Sequence, residues 1–179
     1  DGQGNLTAVV DPLSNRTTLG YNGFGQVTTT TDPLSHTATF TYDVQGNLAT
    51  VADPLGNTTA RQYDAVSRLT RQTDPRGRPT TFAYDPLNRL TVISDPLGGA
   101  TRFTYDGNGN LLTLTDPQNN ATTYTYDAMD RVATRTDPLS HSESFAYDPA
   151  GNLTGHTDRR GQVATFGYDA LNRQTGATY

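Results

Sequence analysis

The sequence predicts an all-β fold: a repetitive antiparallel β-meander, two strands per 21-residue repeat, curling into a spiral strip, hollow shell or tube. Three observations predict it. A Tyr recurs every 21 residues, at Tyr21, Tyr42, Tyr63, Tyr84, Tyr105, Tyr126, Tyr147 and Tyr168. Between the tyrosines an Asp recurs with the same step, at Asp11, Asp32, Asp53, Asp74, Asp95, Asp116, Asp137 and Asp158, with Pro after all but the last. The stretches separating these signals are short and rich in Thr, Val, Phe and Tyr, which excludes stable helices and favours strands.

The elements of one repeat follow in order. In Asp53-Pro54-Leu55-Gly56 the Asp suits the first position of a type I turn, Pro the second and Gly the fourth. A strand then leads into the Tyr. In Thr101 to Tyr105, Phe103 and Tyr105 are two apart and share one face with Thr101. That aromatic partner recurs as Phe40, Phe82, Phe103, Tyr124, Phe145 and Phe166.

A second turn starts on the Asp after the Tyr, at Asp43, Asp64, Asp85, Asp106, Asp127, Asp148 and Asp169, with Asn22 in the first repeat. Its fourth residue is Gly25, Gly46, Ser67, Asn88, Gly109, Asp130, Gly151 or Asn172. Gly, Asn and Asp tolerate the left-handed backbone that a bulge closing a hairpin requires. The return strand opens with Leu48, Leu69, Leu90, Leu111, Val132 or Leu153. The chain thus reads as about sixteen strands. At ~4.8 Å per strand such a sheet would run on the order of 80 Å. Twisted sheets beyond about ten strands curl, split or flatten. The unbroken period offers no place to split, so curling is expected.

Composition sets the limits. Only 33% of the chain is hydrophobic and it lacks Trp and Cys, which is thin for a compact core. A net charge of only −5 and the periodic placement of the apolar residues argue against disorder. Without Cys there is no disulfide framework or thiol chemistry. The basic residues are dispersed arginines and the chain is mildly acidic, so nucleic-acid binding, which needs a basic stripe, is not expected. No apolar run is long enough to span a membrane, and no signal segment opens the sequence. Asp1 reads as the Asp of a Tyr-Asp pair. Residues 1–179 are therefore taken as a single array of about eight and a half repeats, a segment of a longer one whose export signal lies elsewhere.

The pattern Tyr-x-Tyr-Asp followed by Arg-Leu and Asp-Pro-x-Gly resembles the RHS or YD repeat family. It is carried by Tyr124, Tyr126, Asp127, Arg131 and Val132, and by Phe82, Tyr84, Asp85, Asn88, Arg89 and Leu90. The resemblance implies a large hollow β-sheet shell, as in bacterial secreted polymorphic toxins, insecticidal toxin complexes and the teneurins. It implies an extracellular or cell-surface, secreted protein. In the bacterial shells it implies an enclosed toxin polypeptide as partner, besides further repeats of the same or identical chains. The uninterrupted step leaves open a self-continuing tube or fibre.

No catalytic, cofactor-binding or metal-binding residue is expected. The recurring acids suggest Ca2+ sites or paired catalytic carboxylates, yet equivalent Asp residues in adjacent repeats would stand roughly 9 to 10 Å apart, too far to share an ion. They read as turn caps. His36, His141 and His156 have no metal-ligand spacing, and Ser35 and Ser140 lie in turns without an orienting group. The Tyr ladder, with Gly46, Gly109, Gly151 and the Leu positions, reads as structural packing, and a glycan or cell-surface binding module is the competing reading. Five Asn-x-Thr sequons begin at Asn5, Asn15, Asn57, Asn120 and Asn152. The repeat breaks at Arg61, Arg159 and Gln174, and Pro79 is expected at a strand end.

Overall fold

The computed structural model describes residues 1–179 and contains strands, turns and no helix. The fold is all-β, a repetitive antiparallel meander. By compactness it divides into two units, Asp1–Phe82 with Asp95–Leu97, and Ala83–Ser94 with Gly98–Tyr179.

The first unit holds β1 (Ala8–Val10), β2 (Arg16–Tyr21), β3 (Val27–Thr31), β4 (Thr37–Tyr42), β5 (Leu48–Ala52), β6 (Thr58–Tyr63) and β7 (Leu69–Thr73), and most of β8 (Pro79–Tyr84). The second holds β9 (Leu90–Ser94), β10 (Ala100–Tyr105), β11 (Leu111–Thr115), β12 (Ala121–Tyr126), β13 (Val132–Thr136), β14 (Ser142–Tyr147), β15 (Leu153–Thr157), β16 (Val163–Tyr168) and β17 (Gln174–Thr178). Within each unit every strand pairs with its neighbour in sequence. Seventeen strands form where sixteen were expected, because the partial repeat before Asp11 contributes a short strand, Ala8–Val10, that pairs with β2.

No side chain is buried. A sheet one layer thick has no interior, so the period must do the work of a core through cross-strand pairs. One face carries the aromatic and aliphatic ladder: Phe40 stands opposite Val51, Phe103 opposite Leu114, and Leu114 opposite Thr122. The other face is threonine. Thr104 and Thr113 touch through their hydroxyls at 2.6 Å, as do Thr125 and Thr134. Exposure alternates accordingly along β12, where Thr123 and Thr125 are exposed and Thr122, Tyr124 and Tyr126 are half-buried.

The reversals share a double hydrogen bond. Asp53 N donates to Asn57 O at 3.0 Å and Gly56 N donates to Asp53 O at 2.9 Å. The fourth turn residue is left-handed, as at Gly109 with φ 97° and Asn88 with φ 65°. Four serines, Ser14, Ser35, Ser67 and Ser140, also adopt it, with φ of 64° to 68°. Sequence reasoning had reserved that conformation for Gly, Asn and Asp; the turn's paired hydrogen bonds offset the cost of holding Ser there, ~1–2 kcal/mol. Next to the Tyr-Asp turns the register slips by one residue, so that Tyr105 faces Leu111 while Thr104 faces Thr113. Pro79 is the first residue of β8, opposite Thr73.

Candidate functional site

The recurrent site is a turn box built on one carboxylate. In the box at Asp127, Oδ1 accepts from the backbone N–H of Met129 at 2.9 Å and of Arg131 at 3.1 Å, while Oδ2 accepts from Arg131 Nε at 2.7 Å. The Asp-Pro turns repeat it: Asp53 Oδ1 accepts from Leu55 and Asn57 N–H, and Oδ2 from Asn57 Nδ2 at 2.7 Å. Where the fifth residue is Asn, Arg or His, its side chain reaches back with an N–H. These bonds favour the ionised form. The Asn57 and Asn47 side chains hold Asp53 and Asp43 below the usual carboxylate range, and the Arg68 backbone N–H does so for Asp64. In these boxes both carboxylate oxygens are engaged inside one turn, and the Asp is a corner piece. No set of three or more His, Cys, Asp or Glu comes together to hold a metal ion.

The sequence-predicted positions fall at fixed places in the strands. Tyr21, Tyr42, Tyr63, Tyr84, Tyr105, Tyr126, Tyr147 and Tyr168 each end a strand, and Leu48, Leu69, Leu90, Leu111 and Leu153 each begin one. The two series meet: Tyr126 Oη donates to Leu111 O at 2.9 Å, Tyr105 Oη to Leu90 O at 2.8 Å and Tyr42 Oη to Val27 O at 2.8 Å. Each of these bonds ties a repeat to the one before it. Partial burial raises the Tyr126 phenol above its ordinary range.

Arginine at the fifth turn position ties a repeat to the one after it. Arg131 Nη1 donates to Asp148 O at 2.9 Å, and its guanidinium lies 4.6 Å from the centre of the Tyr147 ring. Arg89 does the same with Asp106 O at 2.7 Å and Tyr105 at 4.9 Å. Elsewhere the link is an amide: Gln26 Nε2 donates to Gly46 O at 2.9 Å, and Asn110 Nδ2 to Asp130 Oδ1 at 2.7 Å.

One cluster departs from the repeat. Glu143, the sole Glu of the chain, faces Arg135 on the aromatic face, with Arg135 Nη1 at 3.0 Å from Oε1. His156 Nε2 lies 3.6 Å from Oε2, and its ring stacks on Phe145 with centroids 5.0 Å apart. Arg159 Nη2 lies 3.6 Å from Glu143, and its Nη1 lies 3.5 Å from Asp137, which also meets His141 Nδ1 at 3.3 Å. Burial works to raise the Glu143 pKa, but the Arg135 hydrogen bond and the Arg159 charge outweigh it and hold the carboxyl below its usual range. Sequence reasoning met His156 and Arg159 as separate departures and did not bring them to Glu143. The signal was there, since four off-pattern residues occur within 25 positions and three of them, Arg135, Glu143 and His156, share a face by register.

The other breaks have local answers. Arg61 stands opposite Gln72 and donates to it at 3.3 Å, a polar pair where Phe40 and Val51 face each other in another repeat. Gln174 begins β17 and is exposed. His36 Nδ1 sits 2.9 Å from Asp32 Oδ2, filling the fifth position of that box. Ser35 and Ser140 are the left-handed corner residues of their turns. All five sequon asparagines direct Nδ2 to the carboxylate of their own turn.

Fold and boxes together define a tandem β-hairpin repeat protein whose corners are pinned by carboxylates and whose repeats are laced by Tyr and Arg. The chain belongs to the RHS repeat family, whose pattern matches residues 1–37, 21–59, 63–100, 84–121, 105–141 and 147–179. Among solved structures it is similar to TcdB2-TccC3 without its hypervariable C-terminal region, with a TM-score of 0.70 and 19% identity over 90% of this chain and 10% of that one. TcdB2-TccC3-Cdc42 gives 0.70 and 20% identity over 89% of this chain and 10% of that one. The Photorhabdus luminescens Tc holotoxin pore with a mutated TccC3 gives 0.70 and 19% identity over 90% and 10%. This chain therefore spans about a tenth of the chains it resembles. Against the curated proteins it has no sequence match.

Proposed function

We propose that this chain is a length of wall: a non-enzymatic, extracellular RHS-repeat sheet that curls around a space holding a toxin polypeptide. The observation that carries the reading is a sheet in which no residue is buried, yet every corner is braced and successive repeats are laced by side chains. Such a strip is a poor core and a good partition. Family membership and the likeness to toxin-complex chains support enclosure as its use. The partners are further repeats of the same or identical chains and the enclosed polypeptide, in a secreted bacterial assembly. Its Tyr, Asp, Gly and Leu repeat positions serve structure, with no cofactor, and residues 1–179 act as one array.

A second reading, a self-continuing extracellular tube, is favoured by the 21-residue step, which runs without insertion. Electron microscopy of the native full-length protein tests both. Closed hollow particles with internal density are expected for the shell and open filaments for the tube; a compact, solid particle would overturn the wall itself.

A further inference from the structure

The sequence contains two Asn-Gly pairs, Asn22-Gly23 and Asn108-Gly109, and both lie in turns that follow a repeat Tyr. Such pairs carry a latent reaction. Glycine has no side chain to hinder its backbone nitrogen, so that nitrogen can close on the preceding side-chain amide. The two pairs occupy different places in the same kind of turn, and the place decides which can react.

Asn22 opens its turn, where the other repeats have Asp. Its Oδ1 accepts from the backbone N–H of Phe24 and of Gln26, each at 3.0 Å. Gly23 is exposed and its N–H has no acceptor. Asn108 is the third residue of its turn, and the roles are reversed. Its amide oxygen has no donor, and the Gly109 N–H closes the turn on Asp106 O at 3.3 Å. At the first pair the nucleophile is free and the carbonyl is polarised; at the second the nucleophile is tied and the carbonyl is not.

We propose that Asn22 is a modification site, converted without an enzyme to an acid by deamidation. Gly23 N gives up its proton to hydroxide and attacks Asn22 Cγ. A C–N bond forms, and the charge that develops on Oδ1 falls where the Phe24 and Gln26 N–H groups already point. The Cγ–Nδ2 bond breaks and ammonia departs, its proton drawn from water, which regenerates hydroxide. Water then opens the five-membered imide at either carbonyl, leaving aspartate or isoaspartate. Nothing is oxidised or reduced, and water is the co-reactant.

The product undoes one link between repeats. Asn22 Nδ2 donates to Gln26 Oε1 at 2.9 Å, which leaves Gln26 Nε2 to donate to Gly46 O, 2.9 Å away in the next repeat. A carboxylate has no N–H to give. Set against Gln26 Oε1, it makes the amide turn over and offer Nε2 to the acid, as Asn47 Nδ2 meets Asp43 Oδ2 at 3.0 Å in the next such turn. Gly46 O then loses its donor. Isoaspartate puts one more backbone atom in the corner and dismantles the box outright. Asn22 is thus a slow, one-way release of a tie between repeats.

Incubation of the folded protein at mildly alkaline pH, followed by peptide mass spectrometry over time, tests this. Conversion at Asn22 should outpace that at Asn108 by about tenfold or more, since two donors serve the first carbonyl and none the second. In urea, where both are plain Asn-Gly pairs, the two rates should lie within about twofold of each other. Gly23→Ala, whose Cβ would meet no atom within 4 Å, should keep the circular dichroism spectrum and slow the loss at Asn22 about tenfold. In nuclear magnetic resonance the Gln26 side-chain amide signals should move as Asn22 converts, and Asn22→Asp should reproduce the shift of the aspartate product. A ratio of rates no larger in the folded protein than in urea, or faster conversion at Asn108, would overturn the site. Unmoved Gln26 signals would overturn the release of Gly46.

Discussion

Replacing Arg131 by Met keeps an unbranched apolar stem and removes the guanidinium that spans two repeats. Besides the in-turn bond to Asp127 at 2.7 Å, two inter-repeat contacts leave with it: the donor to Asp148 O at 2.9 Å and the cation over Tyr147 at 4.6 Å. A charged donor to a carbonyl is worth about 1.5–3 kcal/mol when desolvated, and a cation–π contact about 0.5–1 kcal/mol at an exposed site. The Arg131 side chain is 23% exposed on a sheet one layer thick, so water screens both, and a loss of about 1–2 kcal/mol is expected. Arg173 supplies the control. It makes the same in-turn bond to Asp169 at 2.7 Å, yet its side chain is 73% exposed and makes no bond to a second turn. Urea unfolding followed by circular dichroism should show a larger fall in midpoint for Arg131→Met than for Arg173→Met, since only the in-turn bond is common to both. Repeat arrays can unfold piecemeal, so amide hydrogen exchange across β13 to β15 should locate the loss. Equal shifts in the two variants would refute the inter-repeat tether and leave only the turn box as the role of Arg131.

Four further outcomes are expected. Tyr126→Phe should cost about 1 kcal/mol in urea unfolding by removing the bond to Leu111 O. Because the folded Tyr126 phenol titrates above its unfolded value, wild-type stability should also fall as pH rises beyond about 10, and the variant should lose part of that slope. Glu143→Gln should cost about 1–2 kcal/mol and flatten the salt dependence of unfolding, since Arg135 and Arg159 lose their shared anion; an unaltered midpoint would show that the cluster is incidental. Gly109→Ala should destabilise by about 1–2 kcal/mol from backbone strain alone, because φ is 97° and an added Cβ meets no atom within 4 Å, while Ser140→Gly should raise the midpoint. Turn hydrogen bonds hold the carboxyls of Asp53, Asp127 and Asp148 below the usual carboxylate range, so their contribution is present above the unfolded value and is lost as pH falls through the folded one; circular dichroism should report acid unfolding beginning below about pH 4.

Period and turn chemistry alone determined the strands and corners of this protein. Asp-Pro-x-Gly and Tyr-Asp place the reversals because their backbone preferences are local, and the alternation of Phe103 and Tyr105 assigns a face because side chains on a strand point to opposite sides by turns. The links between repeats were legible only in part. Which hydroxyl reaches which carbonyl depends on the register slip beside each Tyr, and Arg131 finds Asp148 O only because two turns stand side by side on one edge. The Glu143 cluster was harder still. Arg135, Glu143, His156 and Arg159 lie on two strands, a third strand and a turn, and the pairing register alone brings them within ion-pair distance. Arg61, marked by the sequence as an intruder, is matched by Gln72 eleven residues away, a pairing that exists only across the hairpin. Local chemistry sets where a chain turns; the partners of a half-exposed charge are set by what pairing places opposite it.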